Sequence, residues 1–141
     1  MTAIISAFPG TGKTYLKENN KRLTIWDSDS SHFSKSPEFP QNYIDYIKLG
    51  IKLEVDLILV STHEVVRKAL FDNNLEFITI VPEMDQKDDY IERYKRRGSS
   101  KEFIDLISAN WDLWLGGIYW KNNTYILFKG EYLSDAIDRL V

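Results

Sequence analysis

Near its start the chain reads Ala7-Phe8-Pro9-Gly10-Thr11-Gly12-Lys13-Thr14. An apolar run, Ala3-Ile4-Ile5, precedes these residues, and a helix-compatible segment, Tyr15-Leu16-Lys17-Glu18, follows them. A small residue, four variable positions and then Gly-Lys-Thr, set between a strand and a helix, is the pattern of a phosphate-binding loop. The chemistry explains the residue types. Gly10 and Gly12 let the backbone turn tightly and approach a phosphate closely. The loop N–H groups and the start of the following helix form an anion cradle. The pattern assigns Pro9, Gly10, Thr11, Gly12, Lys13, Thr14 and Tyr15 to nucleotide contact. Lys13 reaches the β- and γ-phosphates, and the Thr14 hydroxyl sits on Mg²⁺. Ala7 stands where the usual pattern has Gly, a small steric change.

The rest of the chain alternates strands and helices. Strands are expected over 2–7, 23–27, 55–60, 77–81 and 125–128. Helices are expected over 13–20, 41–52, 62–73, 86–97, from about 100 to 115, and over 132–140. Ser61 with Glu64, and Ser99 with Glu102, look like capping boxes that open two of them. Residues 28–40 read as a Ser-rich loop containing Pro37 and Pro40. This alternation predicts an α/β chain of three layers, with a mainly parallel five-stranded sheet flanked by helices. Such sheets bind ligands at the carboxyl ends of their strands. The loop 7–14, the acidic residues after strand two and Ser61-Thr62-His63 all fall there.

Length suits one domain over 1–141. Apolar residues make up 43%, enough for a core without covalent staples. There is no cysteine, which excludes disulfide and thiolate chemistry and fits a reducing cytoplasm. The net charge of −3 gives no global basic field for nucleic acid or an anionic membrane. No basic N-terminal region leads into a long apolar stretch, so neither a signal peptide nor a membrane span is expected.

Two further groups of residues carry chemistry. Asp27 and Asp29 follow strand two with Ser28 between them, so in extended structure both carboxylates point the same way. Phosphoryl transfer needs one acid near the metal and one to orient or deprotonate the acceptor hydroxyl. After strand four come Arg93, Lys95, Arg96 and Arg97, with Arg93 and Arg97 sharing a helix face. In a segment of about 86–100 they suit a lid over the phosphates, and a lid excludes water. His32 and His63 lack metal-ligand spacing. Trp111, Trp114 and Trp120 read as core and helix-packing residues. Phe33, Phe39 and Tyr43 suit either a stacking platform for a base or an anchor for the loop.

A short phosphate-loop chain with Asp27-Ser28-Asp29 after strand two resembles the nucleoside and nucleotide kinase superfamily. Shikimate and adenylylsulfate kinases carry a similar acidic pair at that place, and polynucleotide kinases carry an Asp. The whole chain is similar to small phage-encoded P-loop proteins of nucleotide kinase-like type. The likeness covers the loop, residues 27–31, residues 60–67 and residues 90–98. It implies ATP and Mg²⁺ as cofactors, and a host cytoplasm as location. It implies Lys13 and Thr14 on phosphate and metal, Asp27 supporting the metal, Asp29 at the acceptor, and Arg93 and Arg97 as catalytic cations. The expected activity is transfer of a γ-phosphoryl group to a nucleoside, nucleotide or related small molecule. A hydroxyl on DNA or RNA is the alternative acceptor, and a non-catalytic nucleotide-binding module is the second alternative. The second draws on a departure: no acid ends strand three, where many P-loop enzymes carry one. No residue separates ATP from GTP as the donor.

Overall fold

The structure is a computed structural model. It describes residues 1–27, 30–121 and 123–140, and of residue 31 only the backbone. Five strands form one sheet: β1 (Ala3–Ala7), β2 (Ile25–Asp27), β3 (Leu57–Val60), β4 (Ile78–Pro82) and β5 (Thr124–Leu127). Their order across the sheet is β2-β3-β1-β4-β5, and every pairing is parallel. The central strands are mostly apolar because both faces are covered, as β3 shows with all four residues buried.

Six helices are described: α1 (Lys13–Asn19), α2 (Gln41–Lys52), α3 (Glu64–Asp72), α4 (Lys87–Arg96), α5 (Lys101–Tyr119) and α6 (Leu133–Leu140). Handedness sorts them into layers. From β1 the chain steps to one edge through α1, then returns across the sheet through α2, α3 and the α4–α5 pair. Right-handed crossovers then require α1 on one face and the others on the opposite face. The side chains agree. Ile5 and Ala7 of β1 pack with Leu16 of α1 and Leu133 of α6. Ile4, one residue out of phase, packs with Ile44 of α2 and Val66 of α3. Phe8 and Val81 pack with Tyr90 and Tyr94 of α4 and Trp111 of α5. The result is a three-layer α/β architecture with the loop 7–14 at the carboxyl end of its central strand.

Several local expectations shift. β2 begins at Ile25 instead of residue 23, because the Asn20 side chain accepts from the N–H groups of Arg22 and Leu23 and holds them in a turn. α3 begins at Glu64, with His63 in the capping position and no side-chain cap bond. Ser61 does not cap it, because its hydroxyl faces that of Ser30 at 3.2 Å. Ser100, not Ser99, caps α5 by accepting from the Phe103 N–H at 3.1 Å. α5 runs on to Tyr119 through Gly116 and Gly117 because Leu115 and Ile118 are buried and the Tyr119 hydroxyl donates to the Pro82 carbonyl at 2.7 Å. Trp120 is a correction: it is 88% exposed and packs in no core.

Candidate phosphate loop and acceptor cleft

The loop between β1 and α1 is held by its carbonyls. The Tyr94 hydroxyl donates to Pro9 O at 2.7 Å. Arg93 Nη1 donates to Gly10 O at 2.8 Å. The Leu133 N–H donates to Thr11 O at 2.8 Å. Inside the loop the buried Thr11 hydroxyl donates to Phe8 O at 2.8 Å. Three successive carbonyls are thus tied to α4 and the start of α6, and the Thr11 N–H closes onto Phe8 O at 3.3 Å. Among the described residues, Gly10, Gly12 and Thr14 N–H have no backbone acceptor. An anion is the complement of such a row of donors.

The glycines are required where they stand. Gly10 has φ of 88° and Gly12 of 100°, both in the left-handed region. A Cβ on Gly10 would lie 2.9 Å from Tyr94 Cε1 and 3.2 Å from the Tyr90 ring. A Cβ on Gly12 would lie 3.4 Å from the Tyr132 ring. The loop is thus pressed onto aromatic side chains from behind. Lys13 and Thr14 open α1, whose first turn carries no acidic residue to compete for them. Tyr15 is 61% exposed and borders a surface depression with Asn19 and Asp135.

Arg93 is half-buried, whereas Arg97 is exposed. The Arg93 guanidinium is sandwiched between Tyr90 and Tyr132, with centroid distances of 4.2 and 4.4 Å. This is a stacking geometry favourable to Arg. Arg97 Nε donates to Ser99 Oγ at 2.9 Å, and its guanidinium lies 5.0 Å from the Tyr94 ring. Arg96 pairs with Glu92 across one turn at 3.7 Å. The segment expected as a lid over the phosphates is therefore a helix anchored by two wholly buried tyrosines, and its arginines brace the loop and the helix's own end. Burial pushes the Tyr94 hydroxyl far above the ordinary phenol range, against the pull of Arg97, so it remains a donor. Burial also raises Tyr90, with Arg93 opposing.

The other half of the carboxyl edge is open. Asp27 ends β2 half-buried, in register with Leu59 of β3, which is itself in register with Ile5. It therefore stands two strand spacings, about 10 Å, from the central strand. Asp29 and Ser28 lie outside the described residues. Ser6 Oγ donates to Ser61 O at 2.8 Å, joining the ends of β1 and β3. Beside them a cleft of about 380 Å³ is lined by Ser30, Ser34, Phe39, His63, Glu64 and Val65. Phe33 packs 4.9 Å from Tyr43, and Phe39 6.5 Å from it, so the aromatics of this loop anchor it onto α2. His63 lines the cleft, whereas His32 is exposed. Arg67 reaches back along α3 to donate Nε to Thr62 O at 2.9 Å. Burial lowers its pKa, with Glu64 opposing.

The chain matches no protein-family model and no curated protein.

Sequence reasoning placed the loop but missed its supports. Tyr90, Tyr94, Tyr132 and Leu133 carry no motif. The available signal was the four-residue spacing of Tyr90 and Tyr94, which puts both on one helix face.

The metal expected with the nucleotide can be tested against these residues. Among the described residues, no group of three His, Cys, Asp or Glu could hold a metal by itself. The Thr14 hydroxyl and the Asp27 carboxylate are hard oxygen donors. A small oxygen-seeking cation that takes most of its shell from phosphate and water fits such a sparse set.

Proposed function

We propose that the chain is an ATP- and Mg²⁺-dependent phosphotransferase that moves a γ-phosphoryl group to a small acceptor, a nucleoside, a nucleotide or a related molecule. One observation carries this reading: a glycine loop at the end of the central parallel strand has three carbonyls fixed by protein donors, and among the described residues the N–H groups of Gly10, Gly12 and Thr14 have no backbone acceptor. Lys13 adds positive charge at the outer phosphates, and the Thr14 hydroxyl would hold the metal. Asp27, about 10 Å from the central strand, would support the metal. Asp29 would orient the acceptor hydroxyl. Mg²⁺ when bound neutralises phosphate charge; the protein's own part is positioning and water exclusion. The cleft beside Ser30 and His63 would take the acceptor, because it opens on the same edge and is of a size suited to a small molecule. Arg93 would keep the loop in shape, and Arg97, the residue that caps the end of α4, is the further cation of this segment.

A second reading has its own observation. β3 ends in Val60 followed by Ser61, Thr62 and His63, with no carboxylate there. A nucleotide-binding module without turnover would need none. The acidic balance of −3 weighs against a nucleic-acid acceptor.

The test is ATP turnover with Mg²⁺ against nucleosides, monophosphates, polyols and 5′-hydroxyl oligonucleotides, with Lys13→Ala as control. Turnover that rises with one acceptor class and vanishes in the variant is expected. Tight ATP binding with no stimulation by any class would favour the binding module.

A further inference from the structure

The two arginines expected over the phosphates are committed elsewhere, Arg93 to Gly10 O and Arg97 to Ser99. Of the other four, Arg22, Arg96 and Arg139 pair with carboxylates at the surface. Arg67 differs. It is half-buried, and among the described residues it forms no ion pair. Its Nε donates to Thr62 O at 2.9 Å, and among the described residues its two terminal amino groups have no partner. Glu64 acts on it only through space. Taking a cation out of water without a partner is unfavourable, and the planar fork of Arg matches phosphate.

The helix sets where this cation stands. Successive residues of α3 turn by about 100°. Val66, Ala69 and Leu70 are buried and define the core side. Val65 falls on one flank, where it lines the cleft with Phe39. Arg67 falls on the other flank. Because α3 crosses from β3 to β4 over β1, that flank faces α4 and the end of β1. Helical side chains lean toward the N-terminus, which brings the guanidinium back to Thr62 at the carboxyl edge. Ser61, one residue before Thr62, accepts from Ser6 Oγ at 2.8 Å, and Ser6 leads directly into the loop 7–14. Arg67 therefore stands between the phosphate loop and the cleft that His63 and Glu64 line.

We propose that Arg67 is the catalytic cation that meets the γ-phosphoryl group between the loop and the cleft, an inference that rests on the phosphotransferase reading. In the transfer the acceptor oxygen bonds the γ-phosphorus. The bond to the β,γ-bridging oxygen breaks and ADP leaves, while the hydroxyl proton passes to Asp29. Negative charge spreads over the oxygens of the moving group, and a fixed guanidinium stabilises it without giving or taking a proton. Lys13 holds the donor side of that group and Arg67 the acceptor side.

Calorimetric titration with ADP and with β,γ-imido ATP, both with Mg²⁺, tests the contact without turnover. The parent should bind the imido analogue more tightly than ADP. Arg67→Gln keeps a nitrogen where Nε stands but removes the charge and the fork, so its urea stability should stay near the parent's. Its preference for the analogue over ADP should fall about 10–100-fold, the scale for a hydrogen bond to a charged group. With the acceptor that stimulates the parent, kcat should fall about 10²–10³-fold, and Arg67→Lys should recover part of both losses. A fall in kcat alone would place the contact in the transition state and also support the proposal. If Arg67→Gln leaves the preference and kcat unchanged while stability or acceptor KM shifts, Arg67 only props the turn after β3 and the proposal is overturned. A parent that binds both nucleotides but turns over no acceptor sinks the phosphotransferase reading alone, and the preference then decides the place of Arg67. A parent that binds neither nucleotide overturns both.

Discussion

The two halves of the carboxyl edge are built on different principles. On the side of β1, α4 and α6, the loop 8–12 is fixed by three hydrogen bonds to successive carbonyls and pressed onto Tyr90, Tyr94 and Tyr132. On the side of β2 and β3, the chain leaves a cleft of about 380 Å³ whose polar contacts are hydroxyl groups and side chains at loop ends. The first half is over-determined and has one shape. The second is lightly held and can be changed residue by residue. On the proposed reading, a rigid anion cradle beside an adjustable pocket suits one constant ligand and one selected ligand.

If that contrast is right, damage to the first half should be severe and damage to the second mild. Gly10→Ala should have the largest effect. It places a Cβ at 2.9 Å from Tyr94 in left-handed backbone. Backbone strain costs about 1–2 kcal/mol and overpacking about 1–3 kcal/mol, so urea unfolding should show a loss of about 2–5 kcal/mol. Lys13→Ala should lower ATP turnover by about 10²–10³-fold, the scale for losing one charge-stabilising donor, and more than any loss of urea stability accounts for. Equal losses of stability and turnover in Lys13→Ala would make Lys13 a structural residue.

Next in size is Tyr94→Phe, which removes the donor to Pro9 O from a buried position. About 1–3 kcal/mol of stability should go, because a carbonyl is left unmet. ATP affinity should fall with it in a titration. The same tyrosines predict a pH limit. Tyr94 and Tyr90 are raised by burial, and Tyr119 is pushed up to about 12 by burial and by Glu83 and Asp85. Their unfolded value is about 10. Above it the unfolded chain releases protons that the native protein still holds, so stability is full below pH 10 and falls as pH rises toward 12. Denaturation midpoints measured from pH 8 to 12 should show this, with a shallower decline in Tyr94→Phe.

The smallest effect should come from the open side. Ser61→Ala removes a hydroxyl contact of 3.2 Å with Ser30. Stability should change by about 1 kcal/mol or less and ATP affinity not at all, while KM for the acceptor shifts. A loss of ATP affinity equal to that of Tyr94→Phe would erase the contrast between the two halves.

Alternating apolar runs and helix-period segments dictated the parallel α/β sheet, because both-face burial and crossover handedness leave few arrangements. Gly10, Gly12, Lys13 and Thr14 were legible as a loop because their chemistry is local: φ, a charge and a hydroxyl at fixed spacing. The meaning of Arg93 and Arg97 was not legible. On a helix wheel they are cations facing outward, and only the packing of Tyr90 and Tyr132 turns the Arg93 guanidinium onto Gly10 O. Ser61 read as a helix cap, and only the meeting of β2 and β3 sets it against Ser30 instead. The face of α5 is similar: the sequence shows three tryptophans, and the fold buries Trp111 while leaving Trp120 in solvent. By itself the sequence determined what depends on neighbours along the chain: strand and helix periods, the glycine turns, and the charge carried by the loop. Tertiary structure alone decided which side chains from distant segments share a surface, because contacts between Tyr94 and Pro9, or Leu133 and Thr11, exist only after the sheet has brought those segments together.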